Sequence, residues 1–448
     1  MNILVLNGSP KGENSITLQT LRYLEKKYKL TNMEVLHVGQ KIKALEKDFS
    51  PALQALEKAD LLVFSYPVYT FIAPCQLHRF IELMKEHNAP VAGKIATQVS
   101  TSKHFYDVTA HRYIQDNVQE MGMHFIRGLS ADMEDLTTNK GRYEAEKWWE
   151  CLLWNAEQKF FEPYFPVQSA PSVPATALEA SIENKPGDVV IIADLKPEDT
   201  QLAAMISRFR AKLPFATRVV NLREYPFKGG CLGCFRCAAT GKCIYADGFD
   251  DYLRNKIQTA DSMIYAFTIS DHSMGSLFKM YDDRQFCNGH RTVTIGMPVG
   301  YLISGNYSKE TNLQTILEGR AQVGSNILAG IATDEVDTDA AIDRLAASLA
   351  YALEHKNTGP QNFLGVGGMK IFRDLIYQMR GFMRADHRFF KSHGQYDFPQ
   401  KKWAQSMAMY LVGAMIANPK MMSKMGNKMN EGMLMPYKKV LDDLDKSK

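Results

Sequence analysis

The sequence has no apolar run close to the roughly 20 residues that a membrane-spanning helix requires. Residues 1–7 contain only a short apolar run with no basic residue before it, which is unlike a secretory signal. These two absences predict a cytoplasmic protein with no transmembrane segment.

The sequence also lacks a strong charge of either sign. Its 448 residues include 53 Lys and Arg against 49 Asp and Glu, and 45% of them are hydrophobic. This balance excludes a disordered chain and predicts about two to three globular domains. Basic residues interleaved with aromatic ones are missing, as is zinc-finger spacing, so we expect no nucleic-acid partner.

Strands and helices alternate in the first third of the chain. An apolar strand over residues 1–7 precedes a helix marked by Leu21, Leu24 and Tyr28, and a buried strand follows at 59–65. This order is typical of a parallel sheet covered by helices on both faces.

The alternation begins again after a proline-rich stretch. An apolar strand at 188–193 is followed by predicted strands at 262–267 and 292–296, so we predict two α/β domains in tandem. From Met369 onward the pattern changes to helices rich in Met, with 15 Lys and Arg against 7 Asp and Glu. The predicted segments are a first domain at 1–160, a linker at 161–186, a second domain at 187–356 and a helical Met/Lys/Arg-rich appendage at 357–448.

The loop after the first strand, N-G-S-P-K-G-E-N-S-I-T at 7–17, is the first candidate site. A phosphate there would meet backbone N–H groups at a helix N-terminus together with several hydroxyls. The spacing matches neither the dinucleotide motif G-x-G-x-x-G nor the P-loop. A turn in which Asn14 or Ser15 only caps the helix is the alternative.

Two further loops follow strands that end at the same edge of the predicted sheet. S-Y-P-V-Y-T-F at 65–71 follows the third strand, and Ser100, Thr101 and Ser102 follow the fourth. Open α/β sheets bind ligands at this carboxyl edge. Three such loops together favour a binding site for a flat, phosphorylated ligand over unrelated loop residues.

The motifs GSPKGENSIT and SYPVYTFIAPCQLHRFIELM make residues 1–160 similar to the flavodoxin-like NAD(P)H-dependent FMN reductases. The resemblance implies that both repeats are flavodoxin-like domains, each with a doubly wound parallel five-stranded sheet, and that the first binds FMN. It assigns the FMN phosphate to Ser9, Lys11, Asn14, Ser15 and Thr17, and the isoalloxazine ring to Pro67, Val68, Tyr69 and Thr70. Ser100, Thr101 and Ser102 complete the predicted cofactor site.

Four of the seven cysteines lie in one short loop with the spacing C-x2-C-x2-C-x5-C, at Cys231, Cys234, Cys237 and Cys243. Four thiolates in a compact loop suit an iron–sulfur cluster. Structural zinc more often uses two pairs separated by a longer stretch. The residues leave three alternatives open: a cluster, zinc, or thiols without a metal.

The cysteine loop resembles that of the iron–sulfur flavoproteins, relatives of the FMN reductases in which such a loop binds a 4Fe-4S cluster. The second repeat has no G-S-P loop, and T-I-S-D-H at 268–272 replaces the P-V-Y loop, so we expect no second FMN. The repeats therefore resemble a fused dimer, a pseudo-dimer within one chain that places the cysteine loop near the flavin. Further association into a homodimer stays open.

These features predict an FMN-dependent oxidoreductase. NAD(P)H would reduce FMN in the first domain, and electrons would pass to a quinone or another small-molecule or protein acceptor, with a 4Fe-4S cluster as an optional relay. The flavin supplies the chemistry, so no catalytic acid or base is assigned. One alternative is an electron carrier loaded by a ferredoxin, and another, from a different class, is a non-catalytic zinc-stabilised binding protein.

Overall fold

The computed structural model describes residues 1–166, 171–179, 185–417, 434–435, 437–438 and 440–444. Contacts divide the chain into two compact units, Met1–Phe389 and Phe390–Lys448. The first unit contains two parallel β-sheets, and all four candidate loops of the sequence analysis belong to it.

The first sheet is parallel throughout and follows the order β2-β1-β3-β4, with β5 and β6 both pairing with β4. Its strands are β1 (Ile3–Asn7), β2 (Met33–Leu36), β3 (Leu61–Pro67), β4 (Ile95–Ser102), β5 (His124–Phe125) and β6 (Leu129–Asp132).

Two short segments, β5 and β6, stand in place of the fifth strand of the predicted five-stranded sheet, so this sheet has six strands. The break lies beside Gly128, where a Cβ atom would stand 2.3 Å from the carbonyl oxygen of Gln98. A glycine at such a close backbone approach is typical of a place where a strand bends or is interrupted.

Six helices cover the first sheet. In the first of them, Leu18, Leu21 and Leu24 are buried against the sheet at helical spacing, and Ser15 caps the N-terminus. The helices are α1 (Ile16–Tyr28), α2 (Val38–Leu45), α3 (Ser50–Lys58), α4 (Cys75–Glu86), α5 (Asp107–Glu120) and α6 (Asn139–Gln158).

The second sheet has five parallel strands in the order β8-β7-β9-β10-β11, which is the strand order of the first sheet. Its strands are β7 (Val189–Ala193), β8 (Thr217–Asn221), β9 (Ser262–Thr268), β10 (Pro298–Ser304) and β11 (Ile327–Thr333). The remaining helices are α7 (Thr200–Lys212), α8 (Arg236–Thr240), α9 (Phe249–Tyr252), α10 (Ser276–Arg284), α11 (Thr311–Val323), α12 (Thr338–Glu354), α13 (Phe363–Gln378), α14 (Arg384–Ser392) and α15 (Trp403–Ile416).

The strand predicted at 292–296 is wrong. Residues 293–296 form turns in which Val293 and Ile295 are exposed, whereas the strand is β10, whose seven residues are all buried. The alternation T-V-T-I imitates a half-buried strand, but an interior strand of a parallel sheet is apolar on both faces.

Three hydrophobic clusters hold the first unit together. Two of them lie on the outer faces of the sheets, one under α1 and α6 and one under α7 and α12. The largest cluster contains buried residues of both domains, including Tyr66 and Phe80 of the first and Tyr281 and Tyr301 of the second. Helices α4 and α10 pack against each other within it, as do α5 and α11. The predicted α/β class, with two parallel sheets covered by helices, is confirmed.

The segments outside the two sheets differ in their packing. Residues 171–179 have no regular structure and lie along the second domain, where Val173 donates to the carbonyl of Asp334. Helix α13 packs against α11, whereas in α15 the side chains of Trp403, Tyr410 and Leu411 are exposed. Among the residues described, no helix is both long and apolar enough to cross a membrane. The boundaries at 160, 186 and 356 stay predictions.

Candidate functional site

The loops after β1, β3 and β4 meet at one edge of the first sheet, because adjacent parallel strands end on the same side. Together with the cysteine loop they enclose a pocket of about 200 Å³, here called the edge pocket. Its lining contains ten of the twelve predicted cofactor residues: Ser9, Lys11, Ser15, Thr17, Pro67, Val68, Tyr69, Thr70, Thr101 and Ser102.

The loop after β1 folds around the side chain of Asn7. The Asn7 amide donates to the carbonyl of Gly12 at 2.9 Å and accepts from the backbone N–H of Ser9 at 3.2 Å. The Ser9 hydroxyl in turn accepts from the backbone N–H of Lys11 at 3.3 Å. This internal bonding presents the hydroxyls of Ser9 and Ser15 at the N-terminus of α1.

Thr17 connects this loop to the end of β4. Its hydroxyl lies 2.6 Å from the hydroxyl of Thr101, and both side chains are buried. The two threonines line the edge pocket, so hydroxyl groups from the start of α1 and the end of β4 face the same space.

The loop after β3 is a tight turn with an unusual backbone. The N–H of Tyr69 donates to the carbonyl of Ile72 at 2.8 Å, and Thr70 and Phe71 between them have φ values of 44° and 76°. Left-handed conformations at two consecutive non-glycine residues each cost about 1–3 kcal/mol, so surrounding contacts must hold the turn in place.

Those contacts come from α10 of the second domain. Lys279 Nζ donates to the carbonyl of Tyr69 at 2.9 Å, and the Thr70 hydroxyl donates to Asp283 at 3.3 Å. Lys279 and Asp283 are themselves a fully buried ion pair one helical turn apart. The ligand loop of the first domain therefore depends on charges that the second domain supplies.

Helices α4 and α10 bond to each other reciprocally. The backbone N–H of Cys75, at the start of α4, donates to Asp283 on α10 at 2.8 Å. The backbone N–H and hydroxyl of Ser276, at the start of α10, both donate to Glu82 on α4 at 2.6 Å. A carboxylate beside the N-terminus of a helix is electrostatically favourable, so each helix stabilises the start of the other.

The cysteine loop lies directly over the loop after β3. Gly233, between the first two cysteines, has a φ of +59°, and a Cβ atom on it would stand 1.9 Å from the hydroxyl oxygen of Tyr69. Only glycine fits this position. All four predicted metal ligands, Cys231, Cys234, Cys237 and Cys243, line the edge pocket.

Arg284 anchors the start of the cysteine loop. Its guanidinium donates to the carbonyl of Gly229 at 2.9 Å and makes two bonds of 2.8 Å to Asp247. Burial alone would raise the pKa of Asp247, but the hydrogen bonds from Arg284 lower it to about 2. Arg284 also stacks over the ring of Tyr245, which lines the pocket.

The thiols themselves are not preorganised around a common point. Burial raises the pKa of Cys237 to about 11 and raises that of Cys231 further. No group of three or more His, Cys, Asp or Glu side chains is arranged to hold a metal ion in the part of the chain that the structure describes.

Two predicted cofactor residues lie outside the pocket lining. Asn14 is exposed in the short turn before α1. Ser100 is fully buried, with its hydroxyl 2.8 Å from Nε2 of His111, and burial lowers the pKa of that histidine to about 4. The neutral imidazole and Ser100 therefore form an interior contact under the β4 loop.

Sequence reasoning missed the contribution of the residues that follow α10 and of α13. Phe286 and His290 line the edge pocket, as does Phe372 of α13. His290 is oriented by Asp386, whose carboxylate lies 3.0 Å from its Nδ1 and accepts from its backbone N–H at 3.1 Å. These residues carry no motif, and the fold alone brings them to the site.

One family model matches most of the first domain. Residues 1–134 match the family model described as NADPH-dependent FMN reductase, which confirms the resemblance expected from the two loop motifs for this part of the chain. No curated protein matches the chain.

Several solved structures are similar in fold over about a third of this chain. An FMN-dependent NADH-azoreductase from Bacillus anthracis in complex with FMN is 16% identical, with 34% of this chain and 99% of that chain covered and a TM-score of 0.27. An NAD(P)H:quinone oxidoreductase from Methanothermobacter marburgensis is 14% identical, with 40% and 100% covered and a TM-score of 0.30. A flavodoxin, WrbA-like protein from Agrobacterium tumefaciens is 13% identical, with 38% and 99% covered and a TM-score of 0.27.

Proposed function

We propose that the chain is an FMN-dependent NAD(P)H oxidoreductase that binds FMN in the edge pocket. The observation that carries this proposal is the meeting of three loops at one sheet edge, within the region that matches the FMN reductase family. All seven cysteines are free thiols, which is typical of proteins in reducing compartments, and we therefore also propose a cytoplasmic location.

The donors of the edge pocket fit the phosphate of FMN. The hydroxyls of Ser9, Ser15, Thr17 and Thr101 and the positive end of α1 surround one region of the pocket, and Lys11 adds a charge. Pro67 and Tyr69 supply a flat apolar wall beside it, where the isoalloxazine would lie. When bound, FMN accepts a hydride from NAD(P)H and passes on one or two electrons.

The protein positions this chemistry and limits access of water to it. Lys279 and Asp283 hold the loop after β3 in its strained turn, so the ring-binding backbone is preorganised. Phe105, Phe286 and Phe372 close other sides of the pocket with apolar rings. We assign no side-chain acid or base to the flavin step.

We further propose that the two domains form a pseudo-dimer. The reciprocal bonds of Cys75 with Asp283 and of Ser276 with Glu82 support this arrangement, since in a two-fold interface each contact occurs twice with the partners exchanged. Fusion would let one half specialise for the flavin and the other half for the cysteine loop.

The finer proposal is that Cys231, Cys234, Cys237 and Cys243 bind a 4Fe-4S cluster beside the flavin. Four thiols lining one pocket are a donor set of the right type, and binding would require their side chains to turn toward a common point. Zinc, or thiols without a metal, are the competing states.

The test is cofactor stoichiometry on protein purified without oxygen. We expect one FMN per chain with about four iron and four sulfide, the content of one cubane cluster. One FMN per chain without metal would support the reductase proposal and contradict the cluster proposal. Zinc without FMN would overturn the proposal in favour of a binding protein.

The electron donor is tested separately. Rapid oxidation of NADH or NADPH with a quinone is expected from the reductase. Reduction only by a ferredoxin would instead support the second candidate, a one-electron carrier. The observation that favours this candidate is the cysteine loop.

A further inference from the structure

Helix α15 has a composition unlike that of the rest of the chain. Its fourteen residues, W-A-Q-S-M-A-M-Y-L-V-G-A-M-I, contain neither Lys, Arg, Asp nor Glu, although such residues make up 23% of the whole sequence. A helix that is apolar on most of its circumference is normally buried in a protein core or in a membrane. The composition of α15 therefore predicts that another molecule or another part of the fold covers it.

The structure leaves α15 exposed instead. Residues 403–411 are all exposed, and the large side chains of Trp403, Tyr410 and Leu411 are 73%, 78% and 69% exposed. Trp403, Met407 and Leu411 follow one another at intervals of four residues, so they lie on one face of the helix, and Tyr410 lies beside them. We call these four residues the apolar stripe. A contiguous exposed stripe of this kind marks a surface that binds another molecule.

The residues around the helix are basic. Lys401 and Lys402 come directly before α15 and are exposed, and residues 401–448 contain nine Lys against four Asp and Glu. The N-terminus of a helix carries a partial positive charge, so lysines at this end do not stabilise the helix itself. Their position is instead suited to a binding partner with negative charge.

An anionic membrane surface satisfies both requirements. Acidic lipid headgroups attract lysines, and the acyl chains below them cover apolar side chains. Tryptophan and tyrosine favour the boundary between headgroups and acyl chains, because the ring is buried there while its polar edge stays hydrated. At 1.5 Å per residue α15 is about 21 Å long, shorter than the roughly 30 Å hydrocarbon core, so it suits a position along the surface and not across it.

We propose that α15 binds the surface of an anionic phospholipid bilayer through the apolar stripe and the two lysines before it. The helix lies in the plane of the membrane, with the stripe toward the acyl chains and Lys401 and Lys402 at the headgroups. Apolar burial and attraction of the lysines both contribute, because one short helix buries too little area to bind firmly alone. The proposal concerns a surface of the chain and does not depend on bound FMN.

The experiment measures sedimentation of the full-length protein with sucrose-loaded vesicles. One set of vesicles contains equal parts of phosphatidylglycerol and phosphatidylcholine, and the other contains phosphatidylcholine alone. We expect binding to the mixed vesicles to be about twentyfold stronger, since each of two lysines near an anionic surface contributes about fivefold.

Two double variants test the two parts of the surface. Met407→Gln with Leu411→Gln removes the centre of the apolar stripe and should weaken binding to the mixed vesicles about thirtyfold. Lys401→Gln with Lys402→Gln removes two charges and should weaken it about twentyfold. All four side chains are exposed, so we expect both variants to fold as the unaltered protein does.

The matched controls change exposed residues far from α15 in the chain. Val108→Gln with Val336→Gln removes two apolar side chains that are both 77% exposed. Lys26→Gln with Lys47→Gln removes two exposed lysines. We expect both control variants to bind the mixed vesicles as the unaltered protein does, and weakening equal to that of the α15 variants would overturn the assignment to α15.

Tryptophan fluorescence gives a second readout that is specific to this helix. The emission of Trp403 should move to shorter wavelength when the mixed vesicles are added, because its ring leaves water. Trp403→Phe should abolish this shift, whereas Trp154→Phe, which changes a tryptophan that is 52% exposed on α6, should retain it. A shift that persists in Trp403→Phe would overturn the proposed contact.

The remaining outcomes decide between a membrane and other occupants of the stripe. Equal binding to both kinds of vesicle, or no binding to either, would overturn the proposal. A dimer without lipid that dissociates in the Met407→Gln and Leu411→Gln variant, with no vesicle binding, would overturn it in favour of a second copy of the chain. Absence of FMN with normal vesicle binding would overturn the proposed function alone.

Discussion

The two α/β domains have the same strand order but different loops at their ligand edges. After β1 the first domain presents the hydroxyls of Ser9 and Ser15, whereas after β7 the second domain presents the acidic sequence D-L-K-P-E-D at 194–199. A phosphate would be attracted to the first loop and repelled by the second. The two domains therefore share a fold but differ in whether the loop after their first strand suits a phosphate.

The loops after β3 and β9 make the comparison sharper. Each loop is closed by an isolated β-bridge, between Tyr69 and Ile72 in the first domain and between Ser270 and Ser273 in the second. In each loop the two residues inside the bridge have positive φ values. In the first domain these residues are Thr70 and Phe71, and Thr70 lines the edge pocket. In the second they are Asp271 and His272, and both are used for domain contacts.

Asp271 shows what the second loop does instead of binding a ligand. Its carboxylate lies 2.9 Å from Nδ1 of His78 and accepts from the hydroxyl of Tyr113 at 2.6 Å, and all three residues are buried. One backbone turn thus serves as a ligand wall in one domain and as a lock between domains in the other. Retained backbone geometry does not imply retained function.

The largest expected effect tests whether only the first edge binds FMN. Changing Ser9 and Ser15 together to Ala removes two donors to a charged phosphate, which should weaken FMN binding about 10²- to 10⁴-fold. Release of FMN fluorescence measures the change. The control is Thr200→Ala at the start of α7, the matching place in the second domain. An equal loss of FMN in this variant would contradict the proposal that only the first domain binds FMN.

The next effect tests the reciprocal contacts between α4 and α10. Asp283→Asn leaves Lys279 buried without its nearest counter-charge, so we expect the free energy of unfolding to fall by about 3 kcal/mol. Glu82→Gln changes a partly exposed carboxylate, so we expect the free energy of unfolding to fall by only about 1 kcal/mol. Urea unfolding measures both, and equal costs would mean that the two halves of the contact are energetically alike.

A smaller effect isolates the contact between the cysteine loop and the first domain. Gly233→Ala forces a Cβ against the Tyr69 hydroxyl, whereas Gly241→Ala adds a Cβ in open space at a similarly positive φ of +81°. The backbone strain of about 1–2 kcal/mol is common to both. Gly233→Ala should therefore lower the free energy of unfolding by about 1–3 kcal/mol more than Gly241→Ala does, as in overpacked cores. Thermal unfolding measures both variants. Equal losses would mean that the contact with Tyr69 does not contribute to stability.

The smallest effect concerns pH. Burial would lower the pKa of His272, but Glu120 and Glu310 on either side raise it to about 9, and Asp116 adds to the negative surroundings. A folded pKa above the ordinary 6.5 gives stability that is complete below pH 6.5 and lost as pH rises through 9. Because Glu120 is half exposed, we expect a loss of about 1–2 kcal/mol.

The measurement is the unfolding midpoint in urea between pH 6 and 9.5. His272→Gln should flatten the decline over this window, while the exposed His124 changed to Gln should leave it as in the unaltered protein. A decline of equal size in the His272 variant would assign the pH dependence to other groups.

Much of the fold follows from local pattern. Continuous apolar runs such as V-V-I-I-A at 189–193 predict interior parallel strands, because such strands are buried on both faces. The pattern failed at 292–296, where alternating β-branched residues form turns, and at the first sheet's edge, where Gly128 interrupts the strand. At Gly128 a close approach to β4 overrides the local preference, whereas the alternation at 292–296 lies just before the buried strand β10 and not within it.

The sequence by itself determined the alternation of strands and helices, the loop of Ser9 and Ser15 that we propose for the phosphate, and the grouping of four cysteines, since each depends on residues close together in the chain. Only the tertiary structure decided that the cysteine loop covers Tyr69, that Lys279 and Asp283 support the ligand turn, and that His290 and Phe372 line the same pocket. The partners in these contacts are more than 160 residues apart in the first two cases and about 80 in the third. Local spacing carries no information about such pairs, because packing of the two domains alone brings them together.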